Sequence, residues 1–278
     1  MPPYNRHPES FAGGPPLTQP AGMTDPDRLV ALLRGASRIL LFTGAGISTG
    51  SGIPDFRGPQ GVWTRRRPVY YDDFMRSEAA RIEHWDYKLE AWPAMRDAQP
   101  NATHRAAVEL HRAGRLLSVV TQNIDGLHAR AGLPADKLVE LHGTNLEVEC
   151  QRCGRRSDPA PHYEYFQCTR RPPVCACGGF LKPATISFGQ QLRTADLQRA
   201  AATAEHCDLV IALGSTLSVQ PAAEFPLLAA RRGIPYVIIN RGPTEHDGLP
   251  AVTLRLDGDV AALFPPAVAA ACASRSHA

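Results

Sequence analysis

At 278 residues, 44% of them hydrophobic, the chain can bury one large core and a minor lobe. Its formal net charge of +3, from 30 basic and 27 acidic side chains, leaves no electrostatic footprint for nucleic acid, and no apolar run approaches a membrane span in length. With no secretory leader expected, the seven cysteines read as those of a soluble cytoplasmic enzyme rather than a disulfide framework.

Residues 1–24 read as a disordered tail, because the first twenty hold six prolines, two adjacent glycines and few packing groups; residues 274–278 read likewise. Order begins with a helix. Thr24 or Asp25 can cap it, Pro26 suits its first position, Leu29, Leu32 and Leu33 make an apolar stripe, and Gly35 can end it. A strand at 38–43 runs into Gly44-Ala45-Gly46. A second helix is expected over 102–113, capped by Asn101 and closed by Gly114, then strands at 116–121 and 137–141. A third helix over 195–205 carries Leu197, Ala200, Ala201 and Ala204 on one face, followed by strands at 208–213 and 235–240. These apolar runs mostly lack the alternation of a half-exposed strand. They read as strands buried on both faces, hence a doubly wound parallel, Rossmann-like α/β sheet.

Ligand groups should lie where such strands end. Gly44-Ala45-Gly46-Ile47-Ser48 follows the first strand as a turn whose missing side chains let backbone amides approach a pyrophosphate. Alone it is weak, since tight turns also demand glycine. Gln122-Asn123-Ile124-Asp125, Gly214-Ser215-Thr216 and Asn240-Arg241 sit at three further strand ends, and together they describe one dinucleotide crevice. His142, in Leu-His-Gly, follows another strand and can accept a proton near neutral pH. Cys150-x2-Cys153, twenty-one residues, then Cys175-x-Cys177 bring four thiolates from two turns, the arrangement of a closed structural zinc site. The second pair is tighter than usual, and Cys168 stands nearby as a substitute ligand.

Gly44-Ala45-Gly46-Ile47-Ser48, Ser51-Gly52-Ile53-Pro54-Asp55-Phe56-Arg57-Gly58, Thr121-Gln122-Asn123-Ile124-Asp125-Gly126-Leu127-His128, His142-Gly143, the cysteine pairs and Gly214-Ser215-Thr216-Leu217-Ser218-Val219-Gln220-Pro221-Ala222-Ala223 occur in one order. This set resembles the signature of the sirtuins, bacterial-type NAD-dependent protein-lysine deacylases, over roughly residues 26–265. The resemblance implies that the acyl oxygen of a modified lysine attacks the nicotinamide ribose of NAD, that nicotinamide leaves, and that His142 then deprotonates a ribose hydroxyl, giving O-acyl-ADP-ribose. It places Asn123 and Asp125 in the nicotinamide pocket, Phe56 over the reaction face, and Arg57 and Ser48 on phosphate or the adjoining loop. Gln122 would face ribose, Ser215 and Thr216 phosphate or the adenosine ribose, and Asn240 the adenosine ribose. Gly44, Ala45, Gly46, Asp55, Ile124, Gly214, Arg241 and Val260 complete the implied cofactor set. His128 is expected to orient a loop.

The acylated lysine peptide would add a strand beside Ile186, Phe188 and Gly189. Gln190 stands where the family usually has glutamate, which puts a preference for basic neighbours of the target lysine in doubt. Sirtuins that remove acidic acyl groups carry tyrosine and arginine three residues apart in the helical lobe. Here Tyr87 is followed at that spacing by Glu90, so a neutral acyl group, acetyl first, is expected. The implied division is a Rossmann-like domain in three parts (25–66 with the cofactor loop, 101–147 and 182–273), a helical insert at 67–100 and a zinc-ribbon insert at 148–181. NAD as co-substrate and one structural zinc per chain follow. Protein ADP-ribosyl transfer at the same site is the alternative. A zinc-ribbon binding module has no need of His142 and Asn123, and a dehydrogenase would want a third glycine after Gly46.

Overall fold

The computed structural model describes residues 23–55 and 67–273, so Phe56, Arg57 and most of both expected tails lie outside the described residues. The first element, α1 (Asp25–Gly35), starts on Thr24, whose hydroxyl accepts from the Asp27 amide at 3.3 Å while the Asp27 carboxylate accepts from the Thr24 amide at 3.2 Å. That reciprocal cap satisfies two helix-end donors. Strand β1 (Ile39–Thr43) follows, then the helical pair α2 (Tyr71–Arg76) and α3 (Glu78–Asp97). Next come α4 (Ala102–Arg112), capped by Asn101 as expected, β2 (Leu116–Thr121), the short α5 (Leu127–Arg130) and β3 (Leu138–Glu140). Strands β4 (Gly143–Cys150) and β5 (Arg156–Ser157), helix α6 (Ala160–Thr169) and strand β6 (Leu181–Thr185) form an excursion. The chain then returns through α7 (Thr194–His206), β7 (Leu209–Leu213), α8 (Glu224–Ala230), β8 (Tyr236–Asn240), β9 (Leu254–Asp257) and α9 (Val260–Ala273).

Six strands make one parallel sheet in the order β3-β2-β1-β7-β8-β9. Every residue of β1, β7 and β8 is buried, because helices cover both faces. Successive side chains divide between the two layers. Ile39 and Leu41 pack with Leu29, Leu33, Leu110 and Phe264 on one face, Leu40 and Phe42 with Ala200, Ala204 and Ala229 on the other. β9 escaped the sequence reading because Arg255 and Asp257 break its apolar run; Arg255 instead meets Asp247 at 2.8 Å.

A second sheet, β5-β4-β6, is antiparallel, and α2, α3 and α6 pack near it as a smaller lobe. Trp85, Trp92, Tyr163 and Phe166 fill its core. Trp92 stacks on Tyr163 with centroids 4.6 Å apart, and the Trp85 indole donates to the Leu181 carbonyl at 3.1 Å. Those aromatics let α3 run twenty residues despite Pro93 inside it, which propensity alone argues against.

Strand order reverses between β1 and β7, and there the two following loops cross with almost nothing between their backbones. A Cβ on Gly44 would lie 2.6 Å from the Gly214 carbonyl oxygen, one on Gly46 2.8 Å from Gly214 Cα, and one on Gly214 2.6 Å from the Ile47 nitrogen. Gly214 also has φ of +60°, a conformation costly for any residue with a side chain. The Gly46 amide donates to the Gly214 carbonyl at 2.9 Å, closing the crossing. Gly44→Ala and Gly214→Ala are therefore expected to cost about 1–3 kcal/mol in thermal unfolding. Gly35→Ala, which meets nothing within 4 Å, should stay within about 0.5 kcal/mol of the parent or gain stability.

Candidate active site

Parallel sheets offer ligands a crevice beyond their carboxyl edge where strand order reverses. The loops after β1, β2 and β7 meet there. Thr43 at the end of β1 has its hydroxyl 2.8 Å from that of Thr121 on β2 and 3.1 Å from His128 Nε2. The Thr121 hydroxyl accepts from the Asn123 amide at 3.0 Å, so these buried groups set the base of the loop carrying Asn123 and Asp125. Burial, aided by the neighbouring His104, pushes the His128 imidazole down to about 3, and it is neutral at physiological pH. His128 is thereby held against Thr43 at the foot of the loops. The contact of Thr43 with Thr121 and His128 is not readable from the sequence, since a threonine in a strand carries no signal of its partner.

Above this base the glycine loop is tied to the second loop through one hydroxyl. Ser48 Oγ donates to Asp125 Oδ2 at 2.7 Å and accepts from Asn123 Nδ2 at 3.1 Å; the same amide reaches the Gly44 carbonyl at 3.1 Å. Asp125 Oδ1 accepts from the Leu127 amide at 2.9 Å. Ser48, Asn123 and Asp125 are all at most 5% exposed. With Ala45, Ile53 and Met95 they line a small pocket between the glycine loop and the second loop. Ser48 therefore binds its neighbours across the crevice. Asp55 lies half-buried at the rim of the loop.

On the other side Gln122 Nε2 donates to Ser215 Oγ at 2.9 Å, and that oxygen also accepts from the Leu217 amide at 3.1 Å. Thr216 is exposed, with its hydroxyl 2.9 Å from Ser218 Oγ. Further along the edge, Asn240 turns its amide to the carbonyls of Arg241 and Gly242, each at 3.1 Å, and Arg241 pairs with Asp259 at 3.0 Å. The Val260 side chain is packed in the core at 4% exposure. The glycine cradle that any side chain would fill, bordered by hydroxyls and amides, suits a dinucleotide.

His142 stands half-buried where the two sheets meet. Its Nδ1 lies 3.1 Å from the Gln122 carbonyl, an acceptor only, so Nδ1 carries the proton and Nε2 is the basic nitrogen. Its own carbonyl accepts from the Ile186 amide at 2.8 Å. Residues 186–189 leave β6 from that bond, and the Phe188 carbonyl accepts from the Tyr71 amide at 2.9 Å. Gln190 folds back: its amide donates to the Ser187 carbonyl at 3.0 Å and its Oε1 accepts from the Ser187 amide at 3.1 Å.

Away from the crevice, the thiols of Cys150, Cys153, Cys175 and Cys177 all lie within 4.8 Å of one another, with Cys150 and Cys177 sulfurs at 3.5 Å and Cys153 and Cys175 at 3.9 Å. Tetrahedral zinc with bonds near 2.3 Å sets its sulfurs about 3.8 Å apart, so the set fits. Cys168 is exposed and outside this group. The Arg152 amide, 3.4 Å from Cys150 Sγ, and the Arg155 guanidinium, 3.4 Å from Cys175 Sγ, offset thiolate charge.

Comparison with known proteins gives one consistent result. The Sir2 family model matches residues 44–221. An "NAD-dependent protein deacetylase" of Rhodopseudomonas palustris is 44% identical over 232 residues, covering 83% of this chain and 92% of that protein. "NAD-dependent protein deacetylase 1" of Bradyrhizobium diazoefficiens is 43% identical, covering 83% and 91%. Among solved structures, "Sir2-p53 peptide-NAD+" aligns with TM-score 0.77 at 36% identity, covering 87% of this chain and 95% of that one. "Sir2 bound to acetylated peptide" aligns with TM-score 0.76 at 34% identity and the same coverage.

Cys150→Ser or Cys175→Ser should lower zinc content and unfold the small lobe, because metal affinity is folding free energy. Cys168→Ser should retain one zinc per chain by elemental analysis; loss of the metal in that variant would show that the ligand set is different.

Proposed function

The chain belongs to the Sir2 family, the sirtuins, and from that premise we propose how its crevice removes acyl groups, acetyl first, from protein lysine at the expense of NAD. When bound, NAD would supply a ribose carbon that exchanges nicotinamide for the acyl oxygen; with one water consumed to free the lysine amine, the products would be nicotinamide, unmodified lysine and O-acyl-ADP-ribose. The residues Gly44, Ala45, Gly46, Gly214, Ser215 and Thr216 would hold the phosphates and Asn240 the adenosine ribose, with Arg241 and Val260 beside it. Gln122 would bond the reacting ribose. Ile124, Asn123 and Asp125 would hold the nicotinamide side, with the Asp125 carboxylate accepting from the carboxamide. Favouring a twisted ring over a relaxed one would weaken the bond that breaks, which is binding directed at the transition state. Asp55, at the rim of the glycine loop, would complete the cofactor set.

One observation supports His142 as the base above any other titratable group in the fold. Its ring is fixed by the Gln122 carbonyl and its backbone by Ile186, so it sits between the end of β2 and the segment that would receive the peptide. The neutral tautomer leaves Nε2 to take a ribose hydroxyl proton. Ile186, Phe188 and Gly189 would pair with the peptide backbone. The zinc, with four sulfur ligands and no open position, stabilises the small lobe and takes no part in the chemistry. Among the described residues no helix is long and apolar enough to cross a membrane. A cytoplasmic compartment is part of the proposal, supported by thiols spaced for a metal rather than for disulfides. ADP-ribosyl transfer to protein is not favoured, since both relatives named above are deacetylases.

Peptides bearing acetyl, butyryl, myristoyl and succinyl lysine, incubated with NAD and read by mass spectrometry, should show nicotinamide released one for one with unmasked lysine, fastest for acetyl and absent for succinyl. Labelled NAD that marks protein without deacylation would overturn the reading. His142→Ala should keep NAD affinity and the thermal midpoint yet lose at least about 100-fold in rate, the low end for general base catalysis. Asp125→Asn should impair nicotinamide exchange more than NAD binding; equal losses would count against its assigned contact.

A further inference from the structure

The small lobe buries two lysines that the chemistry above does not use. Lys182 on β6 is 1% exposed and Lys88 on α3 is 8% exposed. Burial pushes Lys88 down to about 8; burial, and then the charge of Lys88, push Lys182 down to about 7. Neither forms an ion pair among the described residues. Glu149 faces Lys182 but is held by Arg156 at 3.0 Å and Arg193 at 2.7 Å. An ammonium without a carboxylate in an apolar lobe is expensive, and lysine is seldom fully buried. A core needing only stability would do as well with methionine, since apolar replacements of buried charges are often neutral or stabilising.

Their hydrogen bonds converge on one residue. Lys182 Nζ donates to the carbonyls of Pro183, at 3.2 Å, and Thr185. Lys88 Nζ donates to the Thr185 hydroxyl at 3.3 Å and to Asn145 Oδ1 at 3.4 Å. This is where the β4–β6 pairing breaks register: Val148 opposes Pro183, Gly143 opposes Thr185, and the extra residues of β4 bulge between them. Asn145 lies in the bulge, and its amide donates to the Ile124 carbonyl at 2.8 Å, in the nicotinamide-side loop. Immediately after Thr185, the Ile186 amide donates to the His142 carbonyl. Gly143 presses the same point from the other side, where a Cβ would lie 2.1 Å from the Ala184 carbonyl oxygen.

We infer that Lys88 and Lys182 are positioning residues for the acyl-lysine peptide: they clamp Thr185 and thereby set the register of residues 186–189 against His142. Lys88 also joins three parts that must agree during turnover, namely the helical lobe through α3, the nicotinamide-side loop through Asn145, and the substrate strand through Thr185. This inference rests on the reading that residues 186–189 receive the peptide. Its consequence is specific, because a slipped strand weakens peptide binding while leaving the dinucleotide loops in place.

The test uses the full chain with zinc bound, an acetyl-lysine peptide and NAD. Lys88→Met and Lys182→Met should raise the peptide KM by about tenfold, with kcat and the NAD KM changed by less than about threefold and no loss of thermal midpoint. Lys182→Arg, which keeps donors for both carbonyls, should recover most of the peptide affinity. Thr185→Val removes only the hydroxyl that Lys88 uses. It should by itself raise the peptide KM severalfold without raising the NAD KM, a smaller effect than Lys88→Met, which also loses the Asn145 bond; Thr185→Val alone carries the test if the methionine variants misfold. A peptide KM within twofold of the parent in folded Lys88→Met and Thr185→Val, or an equal rise in both KM values, would overturn the inference. A parent enzyme that releases nicotinamide without unmasking lysine would instead overturn the underlying reading.

Discussion

The structure depends on a place where two backbones touch. Gly44 and Gly46 after β1 and Gly214 after β7 cross at the reversal of strand order, and the crossing is too close for a methyl group on any of the three. Because no side chain intervenes, the first loop can be drawn down onto the second and third. Ser48 then reaches Asp125 and Asn123, and Gln122 reaches Ser215. The same absence of bulk leaves room for a pyrophosphate over the turn. Close packing and ligand binding thus share a cause, and the crevice falls where the parallel sheet opens.

His142, the proposed base, lies at the joint between the two sheets. Its ring answers to the large sheet through Gln122, and its backbone answers to the small one through Ile186. A small lobe that moved or frayed would therefore disturb the chemistry as well as the substrate. The lobe is stiffened by means that do not rely on a large apolar core: a cysteine clip of the size zinc requires, stacked aromatics, and ion pairs joining Glu149 to Arg156 and Arg193. Two buried lysines, Lys88 from α3 and Lys182 from β6, meet at Thr185 where these supports give way to the segment that would meet the peptide.

Much of this was legible in the sequence, for physical reasons that also mark the limits. Strands β1, β7 and β8 are buried throughout and apolar but for Thr43 and Asn240 at their ends, and those ends were placed to within a residue or so. The caps on α1 and α4 and the spacing of the cysteines are local signals, readable without tertiary knowledge. β9 was not legible, because its charged residues face outward to partners that only the fold supplies. Within the site, the roles expected of Asn123, Asp125 and His142 came from their motifs' resemblance to the sirtuins, whereas Thr43, Thr121 and His128 meet only once strands far apart in the chain lie side by side. Lys88 and Lys182 were the least legible, since lysine in a sequence reads as surface until the structure encloses it.

The claim beneath all of this is that one imidazole and one cleaved dinucleotide share the crevice. A crystal structure with a non-cleavable NAD analogue and an acetyl-lysine peptide tests it most directly. The account predicts a hydroxyl of the nicotinamide ribose within roughly 2.6–3.2 Å of His142 Nε2, or one water away, with the peptide running beside residues 186–189. A ribose seated against another side chain, with His142 out of reach, would contradict it.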